Sequence, residues 1–502
     1  MELIVNIQSL NLISNVQITK QNKKCANQPK MPVGLANDTF VKSSEVTNPI
    51  KTYNAPAPSF TGAFGTWTYR KLPSSTQAVI DKAYDNIKQK YGEDVESITF
   101  DEDEFSPKEE YRLKATLKDN DSHSEFYDKN ANKLAEEDVT MYSKKGTVYK
   151  IVKNIDYRNN TTTKVRSELD RNGNIVVTDE VRIVKDKNNN VIRKEMMTHS
   201  PVEGAYDQKY VYPDGTEKII SKARQFKEDG KEIIQKDMNS LDGTRTQYKL
   251  EQDNKGNKSL KYKITDKDGN VLMNLNKTMQ RISENKVRST SGDKTYDVTF
   301  EKDKITVEEN GKEPTVIRIS NSSFFSKGLN VEGNKSEMLE LMKKLPAEQL
   351  LALSDTVKTL NGLDKNECMM YPTKKQIDTI NEVFSVLHET GHAIDYRNSN
   401  MVIGNVSSIG TDYCLRDIYT KEREAFDKAY PNAQREHVSY FIKQSNHYDG
   451  KWGGLSEVIA ETNALRDSYT TEMSLAPRVQ YMQQYYPRTI AYINDKLENY
   501  KK

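Results

Sequence analysis

The sequence is poor in cysteine. Among 502 residues it has three, Cys25, Cys368 and Cys414, which lie far apart and form no CxxC pair. This spacing excludes both a disulfide framework and a thiolate zinc site. We expect Cys368 and Cys414 to be buried free thiols.

Long apolar runs are also lacking. No segment approaches the roughly 20 apolar residues that a membrane-spanning helix needs. The N-terminal stretch MELIVNIQSLNLISNVQITK has no basic region, and Asn, Gln and Ser interrupt its apolar residues. An ordinary secretory leader is therefore not predicted. We expect no membrane span, and a protein that is cytoplasmic by default or secreted by a leaderless route.

An excess of charge of one sign is absent too. The chain has 75 basic and 73 acidic residues, which give a net charge of +2. This balance offers no electrostatic reason to expect nucleic acid or an anionic membrane as a partner.

The chain is too long for one compact core, so we expect several structural units. Apolar residues make up 35% of it.

The first two predicted segments are short. Residues 1–64 are polar and rich in proline, and they are predicted to form a mostly disordered leader or linker. Residues 65–94 contain a helix over 74–91, because apolar residues recur there at helical spacing. Ser74 is the expected N-cap and Gly92 the expected stop.

Residues 95–328 have the texture of a repetitive antiparallel β-meander. Short runs of Val, Ile, Thr and Tyr alternate with charged residues, as in KYKITDKDGNVLMNL. Asp-Gly, Asn-Gly and Lys-Gly pairs mark hairpin turns between them. The turn glycines are Gly173, Gly215, Gly230, Gly243, Gly256, Gly269 and Gly311. From Gly230 onward three successive turns follow one another at 13-residue intervals.

The function of this meander is left open by the sequence. It can provide a binding surface for a protein partner, or it can be an inert scaffold. Two alternative functions for the whole chain follow. In one, the chain is a binding or adhesion protein with an inactive C-terminal domain; in the other, the sheet or the leader regulates that domain by covering its active site.

Residues 329–502 are predicted to form a mainly helical domain that carries the chemistry. Residues 388–392 read His-Glu-Thr-Gly-His. On a helix, residues four apart share one face, so His388 and His392 can bind one zinc ion. The expected helix begins with a capping box at Thr373 and Gln376. An apolar stripe then leads into the histidines: Ile377, Ile380, Phe384 and Leu387.

Glu389 lies next to the first histidine, where it can act as the general base that takes a proton from water. A third metal ligand is needed. The segment GGLSEVIAETNAL offers Glu457 and Glu461, which are four residues apart on a predicted helix. One of them can bind zinc while the other hydrogen-bonds a ligating histidine. The spacing alone does not choose between the two orders.

Asp395 lies three residues after His392 on the same predicted face. Its carboxylate can orient a ligating histidine, or it can bond the backbone at the end of the helix. Both roles remain open from the sequence.

Three blocks of residues 335–502 together resemble a known family: VLHETGHAIDYR, LSEVIAETNAL and YPRTIAYINDKL. They are similar to the catalytic domain of anthrax lethal factor and its relatives, including Pro-Pro endopeptidases. The resemblance implies a zincin-type metallopeptidase of the HExxH-plus-Glu class. It implies His388, His392 and Glu457 as Zn²⁺ ligands, Glu389 as the base and a protein or peptide substrate. Nothing before residue 330 matches the targeting domains of this family.

The same resemblance implies a tyrosine that stabilises the oxyanion shortly before the ligand glutamate. Tyr448 is the nearest match, although it lies slightly further from Glu457 than in the family. Tyr440 and His447 are the alternatives.

Taken together, the segments predict a multidomain α+β fold class, with an antiparallel β-meander followed by a mainly helical zinc endopeptidase domain.

Overall fold

The computed structural model describes twelve ranges of the chain. They are 69–102, 110–170, 175–200, 204–320, 328–362, 368–372, 374–379, 382–396, 409–429, 441, 453–467 and 477–499. The predicted leader over 1–64 lies outside them. Antiparallel strands dominate the first part and helices the last part, which fits the predicted α+β class. No helix within these ranges is long and apolar enough to cross a membrane.

The chain divides into two compact units. Unit 1 comprises residues 1–202, 207–219 and 429–439, and unit 2 comprises residues 203–206, 220–428 and 440–502. The division falls within β9 (Ala205–Val211) and β10 (Glu217–Glu228). The boundary predicted at residues 328 and 329 does not coincide with it.

Unit 1 begins with the predicted helix, α1 (Ser74–Tyr91), which is confirmed. Its apolar side, including Ile80 and Ile87, packs into a core with Phe100 and Leu113 of the first two strands. Gly92 ends the helix with a positive φ of 55°, as predicted. The predicted cap is wrong: Pro73 is the N-cap, with no side-chain hydrogen bond, and Ser74 is the first helical residue.

Eight strands follow in unit 1, and each pairs antiparallel with the next. Their bounds are β1 (Val95–Glu102), β2 (Tyr111–Leu117), β3 (Ser122–Tyr127), β4 (Lys133–Lys144), β5 (Thr147–Asp156), β6 (Thr161–Leu169), β7 (Ile175–Lys185) and β8 (Val191–Ser200). This is the meander that the alternating pattern predicted.

Unit 2 continues the pattern from β10 to β18, again with antiparallel neighbours. The later strands are β11 (Lys231–Asn239), β12 (Arg245–Asp253), β13 (Lys258–Thr265), β14 (Val271–Ser283), β15 (Lys286–Ser291), β16 (Lys294–Phe300), β17 (Lys304–Glu309) and β18 (Thr315–Ser320). Predicted turn glycines in the described ranges have positive φ: Gly215, Gly230, Gly243, Gly256, Gly269 and Gly311. Gly173 lies outside these ranges.

Aspartates close several of these hairpins. Asp253 Oδ1 accepts hydrogen bonds from the backbone N–H groups of Lys255 and Asn257, and its Oδ2 accepts one from the Asn257 amide. Asp266 holds Asp268 and Asn270 in the same way. The side chain thus supplies the acceptors that a tight turn needs, which explains the Asp three residues before Gly256 and Gly269.

The C-terminal part of unit 2 combines a short sheet with seven helices in its described residues. Strands β19 (Leu329–Glu332), β20 (Thr359–Asn361) and β22 (Gln376–Asp378) run parallel to β18, while β21 (Met369–Tyr371) pairs antiparallel with β22. The helices are α2 (Lys335–Met342), α3 (Ala347–Thr356), α4 (Val383–Asp395), α5 (Tyr413–Ala429), α6 (Gly453–Asp467), α7 (Pro477–Tyr485) and α8 (Pro487–Glu498).

Strands of the meander and these helices share buried contacts within unit 2. Lys236 Nζ of β11 donates to Gln483 Oε1 of α7 at 2.6 Å, and Thr246 of β12 donates to the Gln483 carbonyl oxygen at 3.1 Å. Strands β11 and β12 therefore belong to the core on which α7 packs.

Candidate metal centre

Helix α4 carries His388, Glu389 and His392. It begins at Val383 after the N-cap Glu382, so the predicted capping box is wrong. Gln376 and Ile377 instead lie in β22, whose backbone pairs with β20 and β21, and the helix starts only after this strand. Thr373 and Ile380 lie outside the described residues. Phe384 and Leu387 are buried as predicted.

Helix α6 brings Glu457 to the two histidines. Nε2 of His388 lies 3.3 Å from Glu457 Oε2, and Nε2 of His392 lies 3.6 Å from the same oxygen. All three side chains are buried, and their candidate ligand atoms lie within 4.8 Å of one another. Two ligands about 2.1 Å from a tetrahedral zinc ion are about 3.4 Å apart. The two nitrogen–oxygen separations match this spacing.

The donor set also fits a cation chemically. Two imidazoles and one carboxylate are common zinc ligands, and they leave a fourth position open. Within the described residues, the buried Oε2 of Glu457 forms no regular hydrogen bond. A buried carboxylate oxygen without such a partner is costly, and a cation would satisfy it.

A close approach between α4 and α6 makes this arrangement feasible. A Cβ atom on Gly391 would lie 2.7 Å from Ala460 Cα and 2.9 Å from Asn463 Cβ. Only glycine lets the helices come this near without displacement. The glycine between the two histidines therefore sets the distance between the two helices that carry the candidate ligands.

Both histidines have a second polar contact. Nδ1 of His388 lies 3.0 Å from Glu461 Oε2, and Nδ1 of His392 lies 3.3 Å from Ser456 Oγ. Such contacts fix the ring orientation and the tautomer of a ligating histidine. Glu461 was a candidate for this position from the sequence. Ser456 was missed, although it directly precedes Glu457.

Glu389 is buried next to the candidate ligands. Its Oε2 accepts a hydrogen bond of 2.7 Å from the backbone N–H of Met370 in β21. This contact was not predictable, because it joins a helix to a three-residue strand. It holds one carboxylate oxygen of Glu389.

Asp395 contacts the backbone. Its Oδ1 accepts hydrogen bonds from the N–H groups of Ile409 and Gly410, at 2.9 and 3.0 Å. It thereby fastens the segment that leads into α5 to the end of α4.

The three candidates for stabilising the oxyanion lie outside the described residues: Tyr448, Tyr440 and His447. Neither Cys368 nor Cys414 is buried, contrary to expectation: Cys368 is partly exposed and Cys414 is exposed.

The carboxylates around the two imidazole rings raise the pKa of each ring and so strongly favour its protonated form. Burial lowers the pKa of His388, but interaction with Glu457 and Glu461 outweighs it and raises the pKa to about 10. Burial is likewise outweighed at His392, whose pKa rises to about 9 because of Glu457. For Glu457, burial is outweighed by His392 and His388, and its pKa falls below its usual range.

These shifts predict a steep pH dependence of metal binding. Only neutral imidazole binds a metal, so an incoming ion must displace protons from both rings. We expect the apparent zinc affinity to increase with pH, by up to about 100-fold per unit between about pH 6 and 8. Competition titration against a chromophoric chelator measures this. Glu461→Gln removes one of the charges and should make the slope shallower. An affinity that stays constant over this range would contradict the assignment.

No protein-family model matches the chain, and no curated protein matches it. The resemblance of its three C-terminal blocks to the lethal factor family stays a prediction.

Proposed function

We propose that the chain is a zinc-dependent endopeptidase. The observation that carries this proposal is the buried group of His388, His392 and Glu457, with separations that suit a tetrahedral ion. The resemblance to lethal factor-like peptidases supports it, and so does the adjacent Glu389. A zincin-type domain formed by the C-terminal half of unit 2 is part of the proposal.

In this proposal His388, His392 and Glu457 hold the ion, while Glu461 and Ser456 orient the two rings. A zinc ion at such a site supplies Lewis acidity, which activates water and polarises a peptide carbonyl group. Glu389 takes a proton from the attacking water and delivers it to the departing amine. Its bond to Met370 keeps the carboxylate oriented for that transfer. Tyr448, or else Tyr440 or His447, would stabilise the oxyanion.

Strand β21 supports a peptide substrate in particular. In the described part of the chain, β21 has one neighbouring strand, β22. The N–H group of Met370 points to Glu389, so the outer edge of β21 faces the candidate site. An extended peptide can add to an open strand edge through backbone hydrogen bonds. A peptide bound there would lie beside Glu389.

Alanine substitutions of Glu457 and Glu461, which lie on one face of α6, test the proposed function. Glu457→Ala removes a proposed ligand and should abolish zinc binding and peptide cleavage nearly as completely as loss of a histidine does. Glu461→Ala removes only a contact to His388 and should weaken zinc binding by about 10–100-fold. Metal content per chain and cleavage of casein check both variants. An empty site in Glu461→Ala beside a full site in Glu457→Ala would reverse the assignment.

A further inference from the structure

A buried polar network lies behind the candidate metal centre, within unit 2. It connects β14, α3, α6 and α4 through four side chains that are at most 3% exposed. These side chains are Lys277, Gln349, Asn463 and Asp467. None of them is a predicted ligand or base, and the network ends on the backbone of the helix that carries the histidines.

The contact with that helix is made by Asn463. Its Nδ2 donates to the Leu387 carbonyl oxygen at 2.7 Å, directly before His388 in the chain. Leu387 lies inside α4, where its carbonyl has a regular helical donor four residues later, at Gly391. The bond from Asn463 uses the second lone pair of this oxygen. It therefore fixes one helix against the other, rather than satisfying an otherwise empty acceptor.

Asn463 is itself held by Gln349 through a reciprocal amide pair. Gln349 Nε2 donates to Asn463 Oδ1 at 2.8 Å, and Asn463 Nδ2 lies 3.1 Å from Gln349 Oε1. Both ends of the Asn463 amide are thus engaged. This pairing fixes which way the amide faces, so that its nitrogen points to Leu387.

A buried ion pair anchors the far end. Gln349 Nε2 also donates to Asp467 Oδ2 at 2.5 Å, and Lys277 Nζ lies 2.5 Å from Asp467 Oδ1. Lys277 belongs to β14 and Asp467 is the last residue of α6, so this ion pair joins the strand region to a C-terminal helix. Fully satisfied polar networks in a low-dielectric interior are rigid and specify one arrangement of the elements that they join.

We propose that Asn463 is a positioning residue that sets the register of α4 against α6 at the metal centre. Two ligands are on α4 and the third is on α6, so their separations of 3.3 and 3.6 Å depend on how these helices are aligned. Gly391 lets the helices approach, and the Asn463–Leu387 bond fixes their alignment one turn away. This inference rests on the proposed function, because it concerns the same metal centre.

The test uses Asn463→Leu in the full-length chain, with Thr462→Val as its matched control. Leucine has nearly the shape of asparagine but cannot donate to Leu387. Thr462 is the neighbouring residue on α6, is 1% exposed, and its hydroxyl has no hydrogen-bond partner among the described residues. Valine should therefore be tolerated there. Zinc affinity is measured by chelator competition, and the site geometry by the visible absorption spectrum of the Co²⁺-loaded protein.

Asn463→Leu should bind zinc about 10-fold more weakly. This is the lower end of the losses in metal affinity that follow when a residue supporting the ligands is removed, because Asn463 touches no ligand side chain. Its Co²⁺ spectrum should differ from that of the parent, whereas Thr462→Val should match the parent in both measurements. Gln349→Met removes the two hydrogen bonds that hold the Asn463 amide on its side away from α4. It should cause a smaller change in the same direction, and it carries the test if Asn463→Leu does not fold.

The positioning role is overturned if a folded Asn463→Leu keeps the zinc affinity and the Co²⁺ spectrum of the parent, even when its metal-free form is less stable to urea. That outcome would leave the proposed metal centre intact and would assign the network to stability alone. A parent protein that binds no zinc would instead contradict the proposed function, and this inference with it.

Discussion

Replacing His388 or His392 by alanine is expected to remove nearly all bound zinc and all peptide cleavage. Each change leaves one imidazole and one carboxylate, and a site with two protein ligands holds zinc poorly. It also leaves the buried carboxylate of Glu457 with one nearby imidazole instead of two. The loss of zinc affinity should exceed roughly 100-fold, which is the upper end of the loss expected when only a residue supporting a ligand is removed. Zinc per chain after dialysis, measured by mass spectrometry, gives the result.

Thr390→Ala is the control on the same helix. Thr390 lies between the histidines and is buried, but its hydroxyl donates to the Val386 carbonyl oxygen and not to the site. This variant should retain its zinc. A full equivalent of zinc in both histidine variants would show that these residues are not the ligands.

Glu389→Gln is expected to separate metal binding from catalysis. Glutamine has the same shape and can still accept the hydrogen bond from Met370, so the fold and the bound zinc should be preserved. It cannot take a proton from water, and turnover should fall by at least about 100-fold, the usual scale for losing a general base. Steady-state cleavage of a peptide substrate, with metal content determined in parallel, measures the effect.

Glu382→Gln provides the comparison for this substitution. Glu382 is the N-cap of α4, and its carboxylate accepts from the Ser385 hydroxyl. The same chemical change at that position should leave turnover close to the parent value. If Glu389→Gln were as active as the parent, the general base would have to be another group even if zinc were bound.

Local patterns predicted the elements of this fold well. Alternating residues and Asp-Gly turns indicated the meander, and helical spacing indicated α1 over its full length. Errors arose at ends. Ser74 and Thr373 have the right chemistry for caps, but Pro73 occupies the N-cap position of α1, and the pairing of Gln376 in β22 delays the start of α4 to Val383. Tertiary pairing decided where the helix begins, and a local motif carries no information about it.

The candidate ligands could be found from the sequence because their spacing is short. His388 and His392 are one helical turn apart, and Glu457 and Glu461 were both recognised as neighbours on one helix. The network around them joins residues that are far apart, such as Lys277 with Asp467 and Gln349 with Asn463. No periodicity links such pairs. For the same reason the sequence did not indicate that β14 and the helices of the candidate metal centre belong to one compact unit.

Hydrolysis of a library of internally quenched peptides by the full-length protein tests the central claim most directly. The protein is assayed as purified, after its metal has been removed with a chelator, and after one equivalent of zinc has been restored. The account predicts cleavage at internal peptide bonds, its loss with the metal and its recovery with zinc. A protein that holds one zinc ion per chain and cleaves none of the peptides, or that cleaves them equally well without metal, would contradict it.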